Sequence, residues 1–512
     1  MKKTLLYISA LFAVAIQAQT SSDAYEFSNS QLYGTARYNA LSGAFGALGG
    51  DLSAINDNPA ASAVFSSSKG GITLSQGGSV YTSDYTGDFT ETEDANFNFN
   101  QLGAVLVLKD TNKSSGLEQF ALAFNYNKES DFRDEYSFGG FVNSTIGDYF
   151  VGQANGYFNG DIQRIDDETY TDAYIEIGDL SGFGRVGQEA FLGYTSYLID
   201  PGTTDYDYVS NSDASNTYQE IDIVQSGSKG KTSLNMSGAF TSGLHVGANL
   251  NLHWFERNKS MIFLEENNFA SVQYEILNES VSGGGVSFGF GGIYKTDANL
   301  RVGLSYQTPT WYSVITTIDQ RIDTAYAEEI EIVDDEDVVV DSFTFLAIDP
   351  QVVYQYLDDY SYKTPAKLTA SLAYVIGKKG LISAEYSRQN FGNIKYGDEL
   401  VGYDVLNQTI EELYDVVNTF RLGSEVRLDK WSLRAGGWNK SSQFQDEETF
   451  GGGSFGYSLG VGYNWGKWQL DASYNHFERE YSVTPFENDL YSNTAITTEK
   501  GDLVSVTLGV NF

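Results

Sequence analysis

The sequence predicts an all-β protein, a transmembrane antiparallel β-barrel of about 14 strands, and three observations predict it. Apolar and polar residues alternate with period two through segment after segment. The connectors between segments are alternately short and long. The last segment, Val504, Val506, Leu508 and Val510 alternating with Ser505, Thr507, Gly509 and Asn511, runs out on an aromatic, Phe512. Successive side chains on a strand point to opposite faces, so each such segment has one apolar and one polar face. A closed barrel is the β solution open to a chain in lipid, because a free sheet edge leaves backbone groups unpaired.

The chain opens with Lys2 and Lys3, the apolar run Leu5 to Ile16, then Gln17-Ala18-Gln19. That order of basic, apolar and small residues predicts a secretory signal peptide over 1–18. The apolar run falls short of the roughly 20 residues that cross a bilayer as a helix, and no later segment approaches that length. Strands are then predicted near 70–83, 95–108, 118–129, 231–241, 244–257, 284–295, 299–312, 364–376, 380–391, 417–428, 431–440, 453–464, 467–480 and 501–512. Trp468, Leu470, Ala472 and Tyr474 against Gln469, Asp471, Ser473 and Asn475 show the pattern plainly. Short connectors such as TSG, TDAN and GKKG alternate with long ones over 84–94, 130–230, 258–283, 313–363, 392–416, 441–452 and 481–500. Outer-membrane barrels have this lopsidedness, with short periplasmic turns and long extracellular loops. The final strand ending in Phe512 resembles the signal read by the barrel assembly machinery.

Composition excludes other classes. With 68 Asp and Glu against 31 Lys and Arg the formal charge is −37, which repels nucleic acid. An aromatic share of 14% is foreign to disordered chains. The absence of Cys removes disulfides, thiol catalysis and Cys-ligated zinc together. Residues 130–230 hold 18 acids against 4 bases, and 313–363 hold 13 against 2. The negative charge therefore belongs to outward loops and says little about the lumen.

One N-terminal stretch stands apart: GAFGALGGDLSAINDNPA, residues 43–60. Its glycines lack the GxGxxG spacing, and no βαβ unit follows. Asp51 can cap a helical turn over 52–55, and Asn58-Pro59 stops it, because the residue before proline is driven to extended geometry. The product is a compact, kinked, small-residue piece, suited either to the inside of something narrow or to a periplasmic cap.

These residues resemble the FadL family of outer-membrane transporters for long-chain fatty acids and other hydrophobic compounds (the FadL/TodX group). The resemblance rests on Ala36-Arg37, Gly43-Ala44, Gly50-Asp51-Leu52-Ser53-Ala54 and Asn58-Pro59-Ala60. It extends to 291–295, 299–306, Thr308-Pro309, Thr364-Pro365-Ala366-Lys367-Leu368 and Glu385-Tyr386-Ser387. It implies a hatch over 19–68 that plugs a barrel over 69–512. It further implies ligand capture by extracellular loops, an apolar pocket inside the barrel, and lateral exit where strand three kinks over the hatch. Asn58-Pro59-Ala60, with Gly50 and Asp51, would be the hatch motif near that kink. Strand three, 118–129, contains neither Gly nor Pro, so the kink has no sequence marker. The aromatics Phe132, Tyr136, Phe138, Phe141, Tyr149, Phe150, Tyr157 and Phe158 are candidates for the capture surface or for packing within the loop.

Candidate bases for a ligand head group are Arg301, Arg421, Arg427 and Arg434 on polar strand faces, unless they pair with acids such as Glu425 or Asp471. The histidines His245, His253 and His476 match no catalytic or metal spacing, and Asp334-Asp335-Glu336-Asp337 is either a solvated run or a site for a hard cation. The expectation is passive uptake of hydrophobic small molecules across the bacterial outer membrane, without enzymatic activity or cofactor. Its partners would be the ligand, outer-membrane lipid, lipopolysaccharide and the assembly machinery. The competing readings are a docking or structural platform for export or adhesion, and a general diffusion porin.

Overall fold

The computed structural model describes residues 21–512 apart from 110–115, 166, 181–182, 213, 327–329, 333–337, 341–344, 349–354, 398–402, 487 and 489. Within 327–359 and at 448–449 only backbone is described. The expected signal peptide and the acidic run 334–337 lie outside the described residues.

Fourteen strands form the wall among the described residues: β1 (Lys69–Tyr85), β2 (Asp88–Lys109), β3 (Leu117–Asp131, continued above by Asp134–Val142), β4 (Thr217–Phe240), β5 (Leu244–Glu266), β6 (Ala270–Lys295), β7 (Leu300–Gln307, continued by Trp311–Tyr326), β8 (Lys367–Ile376, preceded by Gln355–Lys363), β9 (Gly380–Asn390), β10 (Val416–Leu428), β11 (Trp431–Lys440), β12 (Ser454–Asn464), β13 (Trp468–Val483) and β14 (Ala495–Asn511). Each pairs antiparallel with the next, and β1 pairs with β14 from Lys69↔Asn511 to Asp84↔Ile496, which closes the ring.

The wall is inside out relative to a water-soluble protein. Met236, Leu250, Phe290, Leu304, Leu372, Leu422, Leu433, Leu459 and Val506 point outward and are exposed, whereas Ser237, Asn249, Ser305, Ser371, Glu425, Ser458 and Ser505 point inward and are buried. An apolar surface of this extent is stable only against hydrocarbon. Trp431, Trp465, Trp468 and Phe512 ring the end that carries the short turns, while Trp254 and Trp311 mark the opposite edge, as interfacial girdles do.

Every predicted strand is present, and several are much longer than predicted. β4, β5 and β6 run to 24, 23 and 26 residues, so the supposed loop 258–283 is a hairpin that turns near Asn267. Above the membrane the outward positions turn polar and the inward ones apolar: Ile221, Ile223, Met261, Phe263, Tyr274 and Ile276 all face in. The alternation persists with its polarity reversed, which is why it reads as loop when only outward apolar faces are sought.

The reversed face is apolar because it has a filling. After three helices within 21–68, α1 (Ser21–Ser28), α2 (Ala36–Ala40) and α3 (Ala54–Asp57), three helices of the 130–230 connector pack against it: α4 (Ile146–Ala154), α5 (Tyr170–Asp179) and α6 (Gly184–Thr195), joined by Phe486 and Tyr491 of the last connector. α4 starts in a capping box at Thr145. Glu265 of β5 accepts from Thr145 Oγ1 at 2.6 Å and from the Ile146 N–H at 2.8 Å, a carboxylate seated where the helix end is positive. The described helices of the 130–230 segment therefore form a folded cap over the barrel mouth. Of its eight candidate capture aromatics only Phe141 and Phe158 are exposed; Phe132, Tyr136, Phe138, Tyr149, Phe150 and Tyr157 are buried, which corrects the capture-surface expectation for those six.

Candidate functional site

Residues 21–68 lie inside the barrel. A helix over Ser21–Ser28 packs high in the lumen against Phe132, Phe255, Tyr362 and Tyr414, while short helices over Ala36–Ala40 and Ala54–Asp57 and a 3-10 turn over Pro59–Val64 fill the lower half. Asp51 is not the helix cap expected of it: the helix starts two residues later, with Ser53 at the N-cap position, and Asp51 Oδ1 accepts instead from the Ser53 N–H at 3.0 Å and from Thr35 Oγ1 at 2.8 Å. Small residues let the hatch backbone meet the wall directly. Asn58 Nδ2 donates to the carbonyls of Gly46 (2.7 Å) and Gly292 (3.2 Å), and the Pro59 carbonyl accepts from Asn235 Nδ2 at 2.8 Å. A Cβ on Gly291 would collide with Asn58 Oδ1 and lie 2.8 Å from Pro59 Cδ. Asn58-Pro59-Ala60 thus docks on β4 to β6.

The break in the wall lies elsewhere. The β2–β3 ladder runs from Lys109↔Gln119 to Gln101↔Asn127 and stops. Immediately above, β2 carries a bulge at Asn100, opposite Thr73/Leu74 of β1, and β3 carries one at Glu129, opposite β4. Two bulges at one height bend both strands, and they separate. Over the next stretch only side chains join the two strands: Lys128 Nζ to Asn98 Oδ1, then Thr92 Oγ1 to the Glu135 carbonyl at 2.8 Å. This leaves a slot through the wall. The backbone of β3 that lost β2 has found the hatch instead. The Gln31 N–H donates to the Glu129 carbonyl at 2.8 Å and the Asp131 N–H to Gln31 Oε1 at 3.2 Å; just below, the side chain of Asn127, the last residue of the ladder, donates to the Tyr33 carbonyl at 3.0 Å. Residues 29–33 therefore form the inner door of the slot, whereas Asn58-Pro59-Ala60, expected as the hatch piece near the kink, docks on β4 to β6.

Behind the door lies a chamber of about 220 Å³. It is not the apolar pocket implied by the family resemblance. Eight cationic side chains line it (among them Lys128, Lys229, Lys231, Lys367, Arg421 and Lys440), with six acidic ones. Glu129 gathers Lys231 (3.0 Å), Lys229 (3.9 Å) and His253 Nδ1 (3.2 Å). His253 Nε2 lies 2.8 Å from Ser287 Oγ, which completes a Ser–His–carboxylate line that spacing along the chain did not reveal. Ser287 is fully buried and already accepts from Asn251 Nδ2 at 3.1 Å, so the line braces the wall and offers no accessible nucleophile.

Of the four candidate arginines the structure brings one to the chamber. Arg421 lines it, with Glu385 at 3.0 Å. Arg434 bonds Glu425 (2.8 Å) and Asp471 (2.7 Å), and Arg427 bonds Glu425 (2.7 Å), around the hatch's Arg37 at 2.9 Å from the same carboxylate. Arg301 donates to the hatch carbonyl of Leu48. These three hold the hatch and the floor of the barrel. The chamber lysines were missed because Lys128, Lys229 and Lys231 fall within or beside a connector read as loop.

A buried ionic chain joins the hatch to the cap. Arg257 of β5 bonds Asp23 and Glu26 of the first hatch helix (Glu26 at 2.8 Å) and Glu279 of β6; Glu279 reaches Arg185 of α6 at 3.6 Å, and Arg185 bonds Glu189 at 2.7 Å. Tyr149 donates to Glu189 at 2.7 Å, and burial together with that carboxylate pushes its phenol well above the ordinary value, so it remains a neutral donor.

The class of molecule is thus defined: a fourteen-stranded membrane barrel, stoppered from within by its own N-terminal segment, capped outside and slotted in one side. No protein-family model matches the chain, and no curated protein does. Among solved structures it is similar to a Pseudomonas aeruginosa FadL homologue, 12% identical, over 95% of this chain and 100% of that one, with a TM-score of 0.55. It is similar also to a deletion mutant of the TodX monoaromatic hydrocarbon channel (13%, 92% and 98%, TM-score 0.50) and to the Pseudomonas putida toluene transporter TodX (12%, 95% and 100%, TM-score 0.49). At these identities the likeness establishes the fold, including an N-terminal helical segment ahead of the strands.

Proposed function

We propose that the chain is an outer-membrane transporter that takes up compounds with a substantial apolar part and releases them sideways into the bilayer. The observation that carries this reading is the exchange of partners on β3: over residues 129–131 it bonds the hatch in place of β2, so displacing residues 29–33 opens a path from the chamber to the lipid without breaking any strand pairing. A water-filled pore is a poor route for such cargo, since each CH₂ gains about 0.8 kcal/mol by leaving water. A covered chamber with a membrane-side exit avoids that loss. The names carried by the structural neighbours, a FadL homologue and a hydrocarbon channel, support the same reading.

Passage needs no nucleotide and follows the gradient. Cells lacking other barrels of this fold, expressing the chain, are expected to accumulate a labelled long-chain or aromatic compound well above vector controls; accumulation equal to controls contradicts the proposal. The docking-platform reading draws on the ordered cap, which presents folded acidic surface outward. Recovery of a stoichiometric surface protein with the purified barrel, together with no uptake, would favour it.

A further inference from the structure

We infer that the short-turn rim of the barrel, over the arc from β8 to β14, is a binding site for anionic phospholipid of the periplasmic leaflet. The ligand is a phosphodiester head group that carries no ammonium of its own, seated between lysines of the turns and a shelf of aromatic rings. The inference is independent of the cargo and of the transport reading.

The charge of this rim runs counter to the chain as a whole. Acids outnumber bases 68 to 31 overall. Yet the turns that join β8 to β9, β10 to β11 and β12 to β13 read IGKKG, LDKW and NWGKW, four lysines against one aspartate. Lys378, Lys379, Lys430 and Lys467 are exposed, and among the described residues none of the four forms an ion pair. The turns also adjoin. The Arg427 N–H donates to the Lys379 carbonyl at 2.8 Å, the Asn464 N–H to the Lys430 carbonyl at 3.0 Å, and the Asn511 N–H to the Lys467 carbonyl at 2.8 Å. The lysines therefore follow one another along the rim. The other fully described short turns, 241–243 and 296–299, carry no base, so the positive charge is confined to one arc. Short turns of such barrels face the periplasm.

The aromatic residues show which medium these lysines meet. Trp431, Trp465 and Trp468 lie in the same arc and are half-exposed on the lipid-facing side. Two of them build a shelf with Tyr463: Trp431 and Trp465 each stand 4.7 Å from its ring, edge to face. Tryptophan settles at the head-group level, and a lysine beside it extends its amine to the phosphates. Lys430 directly precedes Trp431, and Lys467 directly precedes Trp468. The floor inside the arc is already engaged: Arg427 and Arg434 bond Glu425 and Asp471, and Arg301 bonds the Leu48 carbonyl. The unmatched charge thus lies on the rim, which lipid reaches, and not on the floor, which a soluble acidic protein would cover. A phosphodiester without an ammonium feels the full attraction of the arc, whereas the ammonium of phosphatidylethanolamine offsets it.

The full chain in phosphatidylcholine nanodiscs, with a minor share of tail-brominated phosphatidylglycerol or phosphatidylethanolamine, tests this, because bromine quenches nearby tryptophan. Trp254→Phe, Trp311→Phe and Trp438→Phe together leave Trp431, Trp465 and Trp468 as the reporters. One lysine near an anionic surface gives roughly a fivefold preference, so phosphatidylglycerol is expected around these three at roughly fivefold or more over phosphatidylethanolamine. Raised salt should remove the preference. Lys378→Gln, Lys379→Gln, Lys430→Gln and Lys467→Gln combined should make the two lipids equal. The complementary chain with Trp431→Phe, Trp438→Phe, Trp465→Phe and Trp468→Phe reports from Trp254 and Trp311, beside the acidic loops, and should show no such preference. If the lysine variant does not fold, the salt dependence and the contrast between the two tryptophan sets decide. Equal quenching by both lipids, or the same preference at both ends, overturns the inference. Binding of deca-glutamate to the arc with no preference between the lipids overturns it too, and makes the arc a site for an acidic protein.

Discussion

The backbone N–H of Gln31 donates to the carbonyl of Glu129 at 2.8 Å, so a hatch residue fills the place on β3 that a residue of β2 would fill in an uninterrupted wall. Glu129 is itself the extra residue of the β3 bulge. The same residue that bends the strand away from β2 thus offers its carbonyl to the door and its carboxylate to the chamber cations.

Removing the door's donor should loosen it. Gln31→Pro abolishes the N–H to Glu129 and the side-chain acceptor for Asp131, a loss of about 1 kcal/mol for each bond. The two losses together, about 2 kcal/mol, should raise local opening of residues 21–35 by roughly 30-fold, seen as faster amide exchange and proteolysis there, with the strand ladders unchanged. Uniform loss of protection across the whole barrel, or no change at 21–35, would contradict the assignment.

Arg257 is the hinge of the ionic chain from hatch to cap. Arg257→Met leaves Asp23, Glu26 and Glu279 without their shared buried cation, a loss of about 3–5 kcal/mol by comparison with other broken buried pairs. The expected result is a lower unfolding midpoint in detergent and increased mobility both at α6 and at the first hatch helix. Mobility confined to one of the two would show that the chain does not couple them.

Gly291→Ala places a methyl group on the Asn58 amide oxygen. Overpacking of this kind costs about 1–3 kcal/mol, and the side chain that can retreat belongs to the hatch. Planar-bilayer recordings are expected to show conductance steps more frequent than in the parent chain, because Asn58 also holds Gly46 and Gly292. A silent barrel of unaltered stability would mean that the wall yields instead.

Much of this was legible beforehand, and the residues explain which part. Outward Leu304, Leu422 and Leu459 against inward Ser305, Arg421 and Ser458 announce the barrel, since the bilayer imposes one polarity on every strand. Above the bilayer Ile221 and Ile223 obey the same alternation with inverted sense, and the strands there went unread. The slot could not be foreseen, because its bends are bulges at Asn100 and Glu129, residue types that mark nothing locally. The chamber's polarity was hidden too: Lys231 and Lys367 come from β4 and β8, and only ring closure sets them around one cavity. The arginine candidates were found for the right reason, their polar face, yet three of four serve the floor, Arg427 and Arg434 on Glu425 and Asp471 and Arg301 on the Leu48 carbonyl.

The lateral path is tested most directly by tying the slot shut. Asn98→Cys with Lys128→Cys, the only thiols in the chain, sit on opposite lips where Lys128 Nζ meets Asn98 Oδ1, and a short bis-maleimide can join them. Uptake of a labelled long-chain or aromatic compound by the joined barrel should fall to the level of cells without the protein, while the same double variant left unjoined transports well above that level. Undiminished uptake through a fully joined barrel would show that cargo leaves by another route.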